Sequence, residues 1–117
     1  MTKIPLEKLE NVFRGMRAQT PWDVDGPLLW GYFFTDPDDT KLSIAAAELS
    51  SSGYRVVKLY RTDDGSTFFL HVERVEHHTP ASLDARNQQL YDLAERHGLA
   101  SYDGMDVGPR RPWWKFW

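Results

Sequence analysis

The stretch LLWGYFFTDPDDTKLSIAAAELSSSGYRVV, residues 28–57, decides the fold because its pattern changes twice along its length. It begins with LLWGYFFT, a short apolar run rich in aromatic residues, which predicts a strand buried on both faces. Leucine and alanine then recur every three or four residues, which is typical of a helix with one inward face. The apolar residues of GYRVV start another strand. The stretch therefore predicts a strand, a helix and a second strand.

The letters DPDD mark the expected start of this helix. Asp36 is predicted to cap it, and Pro37 suits its first position because a helix leaves that backbone donor unused. Asp38 and Asp39 favour the positive end of the helix dipole. Gly53 is predicted to end the helix in the left-handed conformation. The helix is thus expected to begin directly after the strand.

The rest of the chain continues the alternation. YRVVKLYR and STFFLHVERV flank TDDG, which predicts a hairpin over residues 54–75 with Asp64 and Gly65 in its turn. Thr79 is expected to cap another helix, with a proline following it, and Gly98 to end that helix. ASYDGMDV then predicts a short final strand. An N-terminal helix is expected from the helical spacing of apolar residues in LEKLENVFRGM.

After the N-terminal helix, the predicted order is strand, helix, strand, strand, helix, strand. This βαββαβ pattern is the ferredoxin-like motif, an α+β fold with two helices on one face of an antiparallel sheet. We divide the chain into an N-terminal helix and loop extension (1–27), a ferredoxin-like domain (28–108) and an aromatic, basic C-terminal tail (109–117).

Composition limits the classes of function. The 117 residues include no cysteine, so disulfides and thiolate metal sites are excluded. MTKIPLEKLENVF lacks the apolar core of a secretion signal, and no run of about 18 apolar residues occurs. We therefore expect a cytoplasmic protein that does not bind membranes. The net charge of −3 argues against nucleic-acid binding, because phosphate contacts need a basic surface.

Acidic residues are unevenly placed along the chain. Between Gln19 and Thr40 no lysine or arginine occurs, but five aspartates do: Asp23, Asp25, Asp36, Asp38 and Asp39. Two interpretations are open. The aspartates can cap helices and line solvated loops, or they can form an acidic surface that attracts a basic partner, because complementary charge speeds encounter.

No residue pattern predicts catalysis, a cofactor or a metal. The four histidines are His71, His77, His78 and His97, but a zinc site needs three or four converging ligands and only one cluster is visible. The glycines of DDGST and YDGMDVG lack the spacing of phosphate-binding loops. No serine lies in a nucleophile motif.

RNA binding is an alternative hypothesis, because βαββαβ domains can stack bases on sheet aromatics. Tyr32, Phe34, Tyr60 and Phe69 are the residues that would form such a platform. Glu73, however, lies where a base-binding strand would carry positive charge. Packing of these rings inside the protein is therefore the favoured interpretation.

WGYFFTD, the helix start DPDD, GYRV and the closing YDGMDVG resemble the family of the bacterial regulator of ribonuclease E activity B. The resemblance covers roughly residues 28 to 108, and its sharpest element is Tyr102-Asp103-Gly104. It implies a ferredoxin-like domain that acts by binding a protein. The founding activity is inhibition of ribonuclease E through its C-terminal scaffold region. Locally, Asp103-Gly104 favours a turn with positive φ at the glycine, and Tyr102 can bury its ring.

The chain ends in PRRPWWKFW, where prolines break regular structure and aromatic rings crowd together. Two interpretations are open for this tail. It can fold back on the domain and complete the core, or it can anchor a partner, since tryptophan and arginine are enriched in binding hot spots.

Taken together, these features favour a non-enzymatic regulator that binds a protein, either a ribonuclease E-like enzyme or, alternatively, a toxin that it neutralises as an immunity protein. A small RNA-binding module is the third hypothesis. No catalytic, cofactor or metal residue is predicted. The candidate partner-binding residues are Asp36, Asp38, Asp39, Tyr102, Asp103, Gly104, Trp113, Trp114 and Trp117.

Overall fold

The computed structural model describes residues 3–110. The elements of this part, in chain order, are α1 (Leu6–Gln19), β1 (Leu28–Asp36), α2 (Asp39–Ser51), β2 (Arg55–Arg61), β3 (Phe68–Glu76), α3 (Pro80–Arg96) and β4 (Ser101–Gly108). The predicted element types and their order are confirmed. The tail tryptophans Trp113, Trp114 and Trp117 lie outside the described residues, so both interpretations of the tail stay predictions.

The four strands form one antiparallel sheet in the order β2-β3-β1-β4. β2 and β3 are a hairpin, and Gly65 in its turn has a φ of +72°, as its place in the predicted turn requires. β1 lies inside the sheet between β3 and β4, which confirms its predicted central position. The two interior strands therefore hold the sheet together, and β2 and β4 are its edges.

One face of the sheet is packed against the helices. Trp30, Tyr32 and Phe34 project from β1 into this core and are at most 1% exposed. Burying such large rings is among the strongest contributions to folding, because each removes about 150–250 Å² from water. The opposite face of β1 is only half-buried at Leu29 and Phe33. The prediction that both faces of β1 are buried is therefore wrong for one face.

The helices complete this core through their inward residues. α2 contributes Leu42, Ala45 and Leu49. α3 contributes Leu83, Asn87, Leu90, Tyr91, Leu93 and Ala94. α1 packs chiefly on α3, and its buried residues are Leu9, Phe13 and Met16. The ring of Phe13 lies 5.8 Å from that of Trp30, so α1 shares the core of the sheet.

The helix ends agree with the prediction except at the start of α2. α3 begins with the predicted cap, because Thr79 Oγ1 accepts the Ser82 N–H while the Ser82 hydroxyl accepts the Thr79 N–H. Gly53 and Gly98 have positive φ values of 96° and 65° after α2 and α3. These two glycines end their helices as predicted.

Asp36 is not the cap of α2, which corrects the prediction. Asp38 is the N-cap, and its Oδ1 accepts the backbone N–H of Thr40 at 2.9 Å. Asp36 is instead the last residue of β1, because the strand ladder with β3 continues to this position. Pro37 lies between the strand and the cap, so the prediction that it is the first helical residue is also wrong. The helix consequently begins at Asp39.

Candidate functional site

Asp36 is buried at the point where two connections of the chain meet. Its side chain accepts the N–H of Asp38 at 2.8 Å and the N–H of Ala100 at 2.8 Å. The residue is only 3% exposed. A buried carboxylate that accepts two backbone hydrogen bonds holds the start of α2 against the start of β4. Asp36 thus positions its exposed neighbours and presents little surface of its own.

Asp38 and Asp39 are exposed at the start of α2. Asp38 uses one oxygen to cap the helix, and Asp39 lies in the first turn, where negative charge is favoured by the helix dipole. Further back in the acidic stretch, Asp25 forms a bidentate pair with Arg17, at 2.9 Å and 2.6 Å. The charge of Asp25 is thus neutralised by Arg17, whereas Asp38 and Asp39 present exposed negative charge at the start of α2.

Tyr102 is buried under α3, with 3% of its surface exposed. Its hydroxyl donates to Asn87 Oδ1 at 2.6 Å. Its ring lies 5.2 Å from Phe34 and 5.0 Å, edge-on, from Tyr91. Burial, reinforced by the neighbouring Tyr91, raises the pKa of Tyr102 well above its ordinary value. Tyr102 thus fastens β4 to α3 and β1, as its predicted burial implies.

Asp103 and Gly104 form a β-bulge inside β4. Phe33 pairs with Gly104 and Phe34 with Tyr102, so Asp103 is an extra residue that opposes no partner on β1. Gly104 has the predicted positive φ, at 119°. The prediction of a turn is wrong, because the chain continues along β1 on both sides. The bulge leaves Asp103 exposed on an edge strand.

A buried ionic cluster, which the sequence did not predict, lies beneath α3. Glu76 Oε1 accepts the Tyr32 hydroxyl at 2.8 Å and lies 3.2 Å from His78 Nε2. Glu76 Oε2 pairs with Arg86, while Ser82 Oγ lies 2.9 Å from His78 Nδ1. The Glu76 side chain is only 8% exposed.

The cluster fixes the charge of Glu76. Burial acts to raise the pKa of this carboxyl, but hydrogen bonds from His78, Arg86 and Tyr32 outweigh burial and lower it to about 2. The cluster's residues on and after β3 belong to the stretch HVERVEHH, residues 71–78, in which the sequence pattern predicted no metal site. Glu76 and His78 are partners in a structural network that joins the end of β3 to α3.

The proposed aromatic platform for RNA is not present as a unit. Tyr32 and Phe34 are fully buried against the helices. Tyr60 and Phe69 lie on the other face of the sheet, where their rings stack at 5.5 Å. The four aromatics therefore cannot form one base-stacking surface, because the sheet separates the pairs.

The sheet face opposite the helices has a depression of about 360 Å³ beside Gly31, lined in part by His71, Glu73 and Asp106. A Cβ at Gly31 would lie 2.3 Å from Asp106 Oδ1 and 2.8 Å from His71 Nε2, so a larger residue there would have to displace these two side chains. Within residues 3–110 no group of three or more His, Cys, Asp or Glu side chains is placed to hold a metal ion. The depression thus offers polar groups to a contacting molecule.

The outer strand β2 is exposed along nearly its whole length. We call residues 55–61 the β2 edge. Val56, Val57 and Leu59 are 37%, 38% and 36% exposed. Exposed apolar residues grouped on one element are a common mark of a protein-binding surface. The sequence pattern predicted β2 as a strand but did not predict that it lies at the edge of the sheet.

Comparison with known families decides the class of protein. Residues 6–107 match the family model described as regulator of ribonuclease activity B. The chain belongs to this family. The match begins at Leu6 and so includes α1 as well as all but the last of the residues that carried the resemblance. It supports a role as a regulator of ribonuclease activity. None of the curated proteins compared with the chain matches it.

Among residues 3–110, no helix combines the length and the apolar composition that crossing a bilayer requires.

Proposed function

We propose that this chain is a non-enzymatic regulator that binds a ribonuclease E-type enzyme by protein–protein contact and lowers its activity. The observation that carries the proposal is the family match, which runs from the start of α1 almost to the end of β4. Each helix and strand of residues 3–110 thus contributes to the matched region. The immunity-protein alternative gains no support from this match.

We assign the sheet to the ferredoxin-like arrangement. The order β2-β3-β1-β4 supports the assignment, since β1–α2–β2 and β3–α3–β4 are then two interleaved βαβ units. Within residues 3–110, such an arrangement leaves one sheet face without a helix and two strand edges without a further strand.

In this proposal, Asp38, Asp39 and Asp103 contact the partner, whereas Asp36 and Tyr102 position them. The first three are exposed, and their charges can pair with basic residues of the enzyme. Asp36 and Tyr102 are buried and hydrogen-bonded at 2.6–2.8 Å. The division predicts that exposed aspartates affect binding and buried residues affect folding.

Affinity capture tests the proposal. The chain is immobilised and presented with purified full-length ribonuclease E and with a form that lacks the C-terminal scaffold region. We expect the full-length enzyme to be retained and the form without the scaffold region to pass through. Asp38→Asn with Asp39→Asn should weaken retention. Asp84→Asn with Asp92→Asn on α3 removes the same charge elsewhere and should leave retention unchanged. Failure to retain full-length enzyme at low salt would reject the proposed partner.

A further inference from the structure

The β2 edge has an unpaired side. β2 is the terminal strand of the sheet and pairs with β3 on its inner side only, so no other strand of residues 3–110 covers its outer side. Backbone N–H and C=O groups on an uncovered strand side can pair with another extended chain. The side chains of Val56, Val57 and Leu59 add exposed apolar surface along the same strand.

The charge of the β2 edge has a single sign. RVVKLYR contains three basic residues and no acidic one. Arg55 is paired with Glu73 on β3, through a 2.7 Å bond from its Nε. Lys58 Nζ lies 4.9 Å from the centre of the Tyr60 ring, and neither Lys58 nor Arg61 forms an ion pair with a described residue. Two cations are therefore available beside the apolar side chains.

We propose that the β2 edge binds an extended acidic segment of a partner protein, which adds to the sheet as a further strand next to β2. The inference rests on the proposed function in that the chain acts by protein contact. Main-chain hydrogen bonds would supply affinity, while side chains on alternate faces would supply specificity. The proposal names a second surface besides the aspartates at the α2 start.

Charge decides among the occupants of this edge. A second copy of the chain would place one RVVKLYR strand against another, and like charges on paired strands are destabilising. The chain's own residues 111–117, RPWWKFW, are also basic and contain no acid. An acidic segment is the occupant whose charge complements Lys58 and Arg61.

The bulge in β2 fits this selectivity. The pairing with β3 shifts between Val56 and Lys58, so Val57 is an extra residue in the strand. Bulges and lysines on edge strands are devices that discourage indiscriminate pairing. Here they would reject apolar and basic strands, whereas a carboxylate opposite Lys58 turns the same charge into an attraction.

Peptide binding tests the proposal directly. The probe is a short capped peptide in which glutamate alternates with valine, and its counterpart carries lysine in place of glutamate. We expect the acidic peptide to bind at about 50 mM salt and to weaken as salt screens the charges. Lys58→Glu with Arg61→Glu should lower its affinity about tenfold or more, since attraction becomes repulsion at two positions. The counterpart should not bind the wild-type chain.

Control variants separate the surface from the overall charge. Lys8→Glu with Arg14→Glu on α1 makes the same change in net charge and should leave peptide affinity unchanged. Lys58→Gln with Arg61→Gln is a milder pair that keeps the proposal testable if the glutamate variant does not fold. Backbone NMR shifts on adding the peptide should concentrate on residues 55–61.

Several outcomes would overturn the proposal: equal binding of both peptides, shifts away from β2, or a dimer of the chain that forms through β2. The ribonuclease E capture is read separately. Retention of the enzyme unchanged by the Lys58 and Arg61 variants, together with no binding of the acidic peptide, would reject this inference and leave the proposed function standing. Peptide binding at β2 without enzyme retention would reject the proposed function and leave this inference standing.

Discussion

Replacing Glu76 by glutamine should destabilise the protein in a pH-dependent way. The substitution keeps the size of the side chain but removes the negative charge at the centre of the buried cluster. Arg86, with 22% of its side chain exposed, then loses its charged partner. Breaking a buried ion pair from one side costs about 3–5 kcal/mol of unfolding free energy.

The lowered pKa of Glu76 gives a second value for the stability that this carboxylate contributes. This pKa falls from the ordinary 4.5 to about 2 in the folded protein. This fall in pKa corresponds to about 3 kcal/mol of unfolding free energy, because a pKa lower by one is worth about 1.36 kcal/mol. Because the folded pKa is lowered, this stability is present above the unfolded pKa and is lost as pH falls through the folded pKa. The loss should therefore occur between about pH 5 and pH 2.

Urea unfolding of the wild type and of Glu76→Gln at a series of pH values is the assay. At pH 7 the two free energies of unfolding should differ by about 3 kcal/mol, and the difference should shrink as the pH approaches 2. Glu95→Gln, on the exposed side of α3, is the control and should show little difference at any pH. A difference between wild type and Glu76→Gln that stays constant over this range, or is absent at pH 7, would refute the reasoning.

Two further predictions concern local backbone structure. Gly104→Ala should lower the free energy of unfolding by about 1–3 kcal/mol, because Gly104 has a φ of +119°. Gly108→Ala, at a position with nothing within 4 Å, is the control, and equal thermal shifts in both variants would contradict the bulge geometry. Thr79→Ala should lower the free energy of unfolding by about 1 kcal/mol, because it removes the hydroxyl that accepts the Ser82 N–H and caps α3. Thr40→Ala, in the first turn of α2, is the control, and both variants are measured by urea unfolding. If Thr79→Ala destabilises the protein no more than Thr40→Ala does, the cap is contradicted.

Features that depend on neighbours in the sequence were predictable. Thr79, Gly53 and Gly98 mark helix ends because capping and left-handed conformations are decided within a turn of the chain. The apolar run also predicted that β1 is a central strand, and this position is confirmed, although the burial of both faces from which it was inferred holds for one face only.

Features that depend on distant contacts were not predictable. Asp36 resembles a helix cap in DPDD, but its second bond goes to Ala100, 64 residues away. Glu76 meets Tyr32 from β1 and Arg86 from α3, and nothing in the local sequence of Glu76 indicates these partners. The alternation of β2 is compatible with any place in a sheet, so its edge position required the assembled fold.

The candidate site was predictable only in part. The aspartates at the α2 start were recognised from composition, and the structure leaves Asp38 and Asp39 exposed. The exposed valines of β2 gave no signal, because their pattern equals that of a buried strand.

The most direct test of the central claim is the rate at which full-length ribonuclease E cleaves a short RNA as this protein is titrated into the reaction. The account predicts a saturable fall in the cleavage rate, and no fall with enzyme that lacks the C-terminal scaffold region. Cleavage that is unchanged at protein concentrations well above those of the enzyme, or inhibition that is equal with both enzyme forms, would contradict it.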